Sequence, residues 1–309
     1  MKLSIVTTLY CSAPYLEEFY SRVRAEAEKI TSDFEIILTN DGSPDNSLDV
    51  AISIQEKDSK VRVIDLSRNF GHHKAIMTGL AHTSGETVFL IDCDLEEAPE
   101  LLGLFERKLQ EVKADVVYGV QKARKGNIFE KITGAIFYHL INFLSTSAIP
   151  KNVVTARFMS RRYVDALVQH KDREIFLAGL WAITGFRQVP VTVEKRDKGK
   201  TTYNLALRIS AFVNAITSFS SKPLVYIFYI GAIIFLASSV AALYLMVRRV
   251  FFGIYLAGWP SLIVSIWLLG GLTIFCVGLL GIYLSKVYME TKDRPYTIVR
   301  QIYEKKGKP

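Results

Sequence analysis

The sequence predicts an α/β domain on a doubly wound, mostly parallel sheet, followed by amphipathic helices at a membrane surface and two C-terminal membrane-spanning helices. Three observations carry this. Short Ile- and Val-rich runs alternate with helical patterns over the first 120 residues. Polar clusters stand at the ends of successive runs. Two long stretches near the C-terminus hold no charged residue at all.

The runs 3–9, 35–39, 61–66, 87–91 and 115–120 read as strands. Being apolar on both faces, they imply a sheet covered on both sides. Helical patterns fall between them at 14–30, 46–56, 72–82 and 99–112. Pro14 and Pro99 suit a first helical turn, where no backbone N–H is needed, and Asp45 suits the N-cap of the second helix. Strand–helix alternation of this kind builds a doubly wound sheet, whose ligands bind beyond the carboxyl ends of the strands. The polar clusters fall there: Asn40-Asp41-Gly42-Ser43, Ser67-Arg68-Asn69 and Asp92-Cys93-Asp94.

Further along, Phe129, Ile132, Ile136, Leu140 and Phe143 recur at helical spacing, as do Leu205, Ile209, Phe212, Ile216 and Phe219. Helices over 128–149 and 205–222 are expected to lie in the headgroup plane or, for the first, to pack on the sheet. The charge-free stretches 224–247 and 260–285 are the expected spans. A helix of ~24 residues covers ~36 Å, enough for a hydrocarbon core of ~30 Å. The expected organisation is an α/β domain over 1–204, a surface helix over 205–222, paired spans within 223–285 and a basic tail over 286–309.

Charge sets the orientation. Lys286, Lys292, Arg294, Arg300, Lys305, Lys306 and Lys308 follow the second stretch, and only Arg248 and Arg249 lie between the two. The excess of cations outside the hairpin puts both termini on the cytoplasmic side of the inner membrane. The start, Met1-Lys2-Leu3-Ser4, leads directly into a strand, so no cleavable signal peptide is expected. Three scattered cysteines, Cys11, Cys93 and Cys276, give neither a disulfide framework nor zinc spacing. The net charge of +8 comes without a basic stripe interleaved with aromatics, which speaks for anionic lipid and a phosphorylated substrate over nucleic acid.

Asp92 and Asp94 end a very apolar strand. Carboxylates this close repel unless a cation or solvent separates them, and oxygen-only donors favour Mg²⁺ or Mn²⁺ bridging to substrate phosphates. His72 and His73 open a helix, where neighbouring side chains diverge. They are read as contacts around a donor loop or as helix-start polarity, not as a ligand pair.

Together these motifs bring a family into view. Thr7-Thr8-Leu9-Tyr10, Asn40-Asp41-Gly42-Ser43-Pro44-Asp45, Ser67-Arg68-Asn69-Phe70-Gly71, Asp92-Cys93-Asp94-Leu95 with Pro99-Glu100, Arg157-Phe158-Met159-Ser160 and Gly199-Lys200-Thr201-Thr202-Tyr203 follow in order. The chain resembles the family 2 inverting glycosyltransferases of GT-A fold. Among them it is similar to the polyisoprenyl-phosphate enzymes, including the dolichol-phosphate mannose synthase group and its bacterial two-span members.

The resemblance implies transfer of a sugar, a UDP-hexose before GDP-mannose, to a polyprenyl phosphate such as undecaprenyl phosphate. It implies a nucleotide-sugar site of Thr8, Tyr10, Asp41, Ser43, Asn69, Lys74 and Asp92, and a metal held by Asp92 and Asp94. Arg157, Lys195, Arg196, Lys200 and Tyr203 would receive the lipid phosphate, with Asp92, Asp94 and Arg157 as the catalytic set. Gly270, Gly271, Gly278 and Gly281 would let spans pack closely in a homo-oligomer.

Three positions depart from the family pattern. Tyr10-Cys11-Ser12 lacks an acidic residue after the first strand, Asn40 replaces a common aspartate, and Thr155 stands where a catalytic aspartate is often found. The last loss is softened by chemistry. A phosphate monoester has its second pKa near ~6, so the acceptor is substantially ionised at neutral pH without a base. A processive polysaccharide synthase is the weaker enzyme reading, because no Gln-x-x-Arg-Trp segment occurs. A non-catalytic adaptor is the reading from another class, and the retained Asp92 and Asp94 oppose it.

Overall fold

The computed structural model describes residues 2–121, 152–195, 217, 222–252 and 258–305. The expected surface helices over 128–149 and, but for Thr217 and Lys222, over 205–222, and with them Arg196, Lys200 and Tyr203, lie outside the described residues. The chain divides into two compact units, one holding all the strands and the other holding two long helices.

The strand unit runs β1 (Leu3–Leu9), α1 (Ala13–Ile30), β2 (Phe34–Asn40), α2 (Ser47–Lys57), β3 (Val61–Leu66), α3 (His72–Ala81), β4 (Thr87–Leu90), α4 (Leu101–Val112) and β5 (Val116–Gln121). Then follow β6 (Val153–Ser160), α5 (Arg161–Leu167), α6 (Leu177–Ile183), β7 (Gln188–Val193) and, after the long helices, β8 (Val299–Tyr303). The order in the sheet is β7-β5-β6-β4-β1-β2-β3-β8.

The sheet is mixed but mostly parallel, as expected: six of its eight strands run in one direction, and β6 and β8 oppose them. β1 pairs in parallel with β2 and β4, β2 with β3, and β5 with β7, but β6 runs antiparallel between β4 and β5, and β8 antiparallel to β3. Strand order reverses between β1 and β4, so a crevice opens at their carboxyl ends.

Every residue of β1 and β2 is buried, including the polar Ser4, Thr7, Thr8, Glu35, Thr39 and Asn40. Helix α1 turns Leu16, Phe19, Val23 and Ala27 inward at helical spacing, and Pro14 lies in its first turn as expected. Pro99 instead sits just ahead of α4, in a turn where Leu101 and Leu102 donate to the Ala98 and Pro99 carbonyls. Phe89 meets Phe105 of α4 edge-on and Phe158 of β6 at a tilt, tying helix and antiparallel strand to the centre of the sheet.

The helical unit consists of α7 (Lys222–Phe252) and α8 (Trp259–Thr291). Among the described residues one helix is long and apolar enough to cross a membrane, over Ser265–Thr291. It keeps large apolar side chains such as Trp267, Ile274 and Phe275 exposed. Two spans were expected; among the described residues that one helix is long and apolar enough, and α7 contributes the shorter apolar stretch Lys222–Ser238. The segment 286–309, read from sequence as a basic tail, finishes α8 and then supplies β8 to the sheet.

Candidate active site

The carboxyl ends of β1, β2 and β3 are stitched together by short side chains. Ser43 Oγ accepts the Cys11 N–H at 2.8 Å and donates to Asp45 at 2.5 Å. Asp45 also accepts from Ser47 N, Ser47 Oγ and Ala13 N, so it caps α2 from one residue outside the cap position. Burial alone would raise the Asp45 carboxyl, but these bonds outweigh it and hold it down to about 2. Gly42, at φ +59°, lies so close to the next loop that a Cβ would stand 2.4 Å from Asn69 N.

Asp41 is buried, and its two oxygens accept the Phe70 and Gly71 N–H groups at 2.7 and 3.0 Å. Burial nevertheless leaves its pKa above the ordinary value. Its first job is thus to hold the loop that carries Asn69 and leads into α3. Tyr10 (52% exposed) and Asn69 face solvent, and Lys74 is half-buried in the first turns of α3.

His72 connects β1 to β4. Its Nδ1 shares a hydrogen bond with Thr8 Oγ1 at 3.0 Å, and its Nε2 lies 3.4 Å from Asp92 Oδ1. That approach lacks hydrogen-bond geometry, and Asp92 Oδ1 is buried with no hydrogen-bond partner. Between the two aspartates, Cys93 turns inward and donates Sγ–H to the Thr8 carbonyl, its thiol pushed up to about 11 by burial. Asp94 accepts the Glu96 N–H at 3.1 Å, closing a turn in which Leu95 takes a positive φ.

An unpartnered buried carboxylate oxygen fits a cation site, because such an oxygen is costly unless something positive meets it. No group of three His, Cys, Asp or Glu side chains converges for a metal among the described residues. A donor set of two carboxylates completed by substrate phosphates suits Mg²⁺ or Mn²⁺.

The other wall is built by β6 and the strand end after β7. Glu97 (1% exposed) accepts the Thr155 and Ala156 N–H groups at 3.0 and 2.8 Å. Burial, and then the charge of Asp92, push its carboxyl up to about 7 against the pull of Lys195. Lys195 pairs with Glu96 at 2.7 Å; burial opposes its charge, but Glu96 and Glu97 leave its pKa above the ordinary value.

Arg157 (1% exposed) pairs with Leu90 across the sheet and is an interior residue, not a surface one. Its guanidinium lies 2.9 Å from the ring centroid of Trp181, and Nε donates to the Thr155 carbonyl at 3.3 Å. Burial pushes its pKa down to about 9. Arg157 Nη2 and Trp181 Nε1 are both buried donors with no hydrogen-bond partner among the described residues.

Of the residues expected from sequence, Thr8, Asp41, Ser43, Asp92 and Asp94 gather at the crevice with Lys195. Arg157 stands behind them, under Trp181. Sequence reasoning missed Glu97 and Trp181 and undervalued His72. Glu97 had one signal, being the second of two glutamates, Glu96 and Glu97, just beyond the Asp92-Cys93-Asp94 segment.

Residues 4–168 match the family described as Glycosyl transferase family 2. A protein of Mycobacterium tuberculosis named "Putative glycosyltransferases" is 56% identical over 98% of this chain and 89% of its own length. The "Prophage bactoprenol glucosyl transferase homolog" of Escherichia coli is 31% identical, covering 98% of this chain and 99% of its own. The "SfII prophage-derived bactoprenol glucosyl transferase" of Shigella flexneri is 32% identical over the full length of both.

Proposed function

The chain belongs to glycosyl transferase family 2, and from that premise we propose that it transfers a hexose from a UDP-linked donor to a polyprenyl phosphate at the cytoplasmic face of a membrane. The observation that carries this reading is a pair of unpartnered buried atoms of opposite character on neighbouring strands. Asp92 Oδ1, just past β4, calls for a cation, and Arg157 Nη2, on β6, calls for an anion. A metal-bound diphosphate and an acceptor phosphate meet those needs. Relatives named bactoprenol glucosyl transferases, alike over their full length, support the lipid acceptor.

Asp92 and Asp94 would hold Mg²⁺ or Mn²⁺, which when bound neutralises charge on a departing diphosphate. The rest is positioning. Thr8, Asp41, Ser43, Asn69 and Lys74 form the nucleotide side, with Tyr10 exposed above it. Glu97 fixes the backbone of Thr155 and Ala156 and so sets the entry to Arg157. The acceptor phosphate is already a nucleophile, so Thr155 needs no carboxylate. Orientation and fixed charge supply the rate.

The reading includes two crossings, by α7 and α8, with both chain ends on the cytoplasmic side. In its support, β8 follows α8 yet belongs to the same sheet as β1, so the chain returns to the side it left.

Purified full-length protein, incubated with labelled UDP-glucose, undecaprenyl phosphate and MgCl₂, should yield label extractable into chloroform. Label found only in polymer, or none transferred across a panel of UDP- and GDP-sugars, would sink the proposal.

A further inference from the structure

We propose that Arg300 is a positioning residue for the nucleotide, through which the returning strand β8 holds both loops on the donor side. This rests on the donor-site reading above.

The register of β8 on β3 isolates Arg300. Asp65 pairs with Gln301, but Leu66 pairs with Val299, so Arg300 is the extra residue of a bulge. Bulges re-aim a side chain, and this one turns a guanidinium towards the end of β3. Its Nη2 donates to the Ser67 carbonyl at 2.6 Å, and its Nη1 lies 3.4 Å from Asp65 Oδ2.

From those two contacts the connections run into both loops. Asp65 Oδ1 accepts from Asn40 Nδ2 at 2.8 Å, and Asn40 Oδ1 accepts the Ser43 N–H at 3.3 Å. Ser43 in turn receives the Cys11 N–H, so the loop after β1 is included. On the other branch, Ser67 donates its N–H to the Ile298 carbonyl, and the loop it opens ends at the Phe70 and Gly71 N–H groups held by Asp41. A planar guanidinium can serve a carbonyl and a carboxylate at once; an ammonium is a single point charge on a flexible stem.

Asp65 Oδ2 is buried and has no hydrogen-bond partner other than this approach by Arg300. Without Arg300 it is left without a cation, and Asn40 loses its fixed neighbour. The alternative is that β8 merely closes a sheet edge. Glu304 separates the two, because it forms a 2.7 Å ion pair with Arg62 towards the far end of the same strand and touches neither loop.

The test is calorimetric titration of UDP, and separately of GDP, each with MgCl₂, into detergent-solubilised full-length protein. For whichever nucleotide the unsubstituted protein binds, Arg300→Ala should weaken binding about tenfold, the effect of losing one charge-assisted contact. Arg300→Lys should fall between, and Glu304→Ala should stay within about twofold, as an exposed ion pair implies. Unchanged affinity in Arg300→Ala and Arg300→Lys overturns the inference. So does equal loss in Arg300→Ala and Glu304→Ala that follows their melting temperatures. If the unsubstituted protein binds neither nucleotide, the donor-site reading falls, and this inference with it.

Discussion

Glu97 accepts the backbone N–H of Ala156 at 2.8 Å, joining the acidic loop after β4 to the middle of β6. The same carboxylate takes the Thr155 N–H, so one side chain satisfies two donors. Glu97→Ala leaves both without an acceptor and should cost about 2–6 kcal/mol of stability, at about 1–3 kcal/mol for each orphaned group. Thermal melts of the two proteins measure this. Glu97→Gln keeps one good acceptor and should lose roughly half as much; a neutral Glu97→Ala contradicts the role.

Asp92→Ala and Asp94→Ala should each lower metal-dependent transfer by about a hundredfold or more, the scale of losing an electrostatic stabiliser. Initial rates with MgCl₂ and with chelator provide the check. Chelation should abolish activity in the parent protein and change little in the variants.

His72 sits between Thr8 and Asp92, so His72→Ala should loosen Asp92 without removing it. The expected loss in kcat/KM is about tenfold, as for partners that orient a ligand. The concentration of Mg²⁺ needed for half-maximal rate should rise. An unchanged metal requirement would show that the bridge does nothing for the site.

Arg157→Lys keeps a charge but loses the planar face against Trp181. KM for the lipid phosphate should rise about tenfold while KM for the donor holds, a split that steady-state kinetics resolves. A rise confined to the donor would move Arg157 to the other substrate.

Asp45 gives a pH signature. Its carboxyl is held at about 2 in the folded protein against an ordinary 3.8. A lowered folded value means the stabilisation is full above the unfolded value and is lost as pH falls through the folded one. The melting temperature should therefore drop between about pH 4 and pH 2, and Asp45→Asn should flatten that drop. Identical slopes in the two proteins would contradict it.

Much of this was legible in the residues. β1 and β3 were delimited to the residue because their Ile-, Val- and Leu-rich runs stand between clear helical patterns. β6 was not read as a strand, since Arg157 at its centre looks like a surface residue until the Trp181 ring is seen to cover it. Glu97 carried no periodic signal, and its N–H partners lie 58 and 59 residues further along the chain. Arg300 was counted with the cations that orient the helices, because nothing local reveals a bulge whose partner strand ends at Leu66.

The last strand also orders the protein's making. β3 is complete as soon as Leu66 emerges, yet its outer partner begins at Val299, behind both long helices. Through most of synthesis that edge is an open row of N–H and C=O groups, the kind of edge that invites pairing with other chains. A ribosome that stops after α8 releases a chain with its helices in place and its sheet unfinished. Only a chain read through to β8 covers the β3 edge, so that pairing can form only after both long helices have been made.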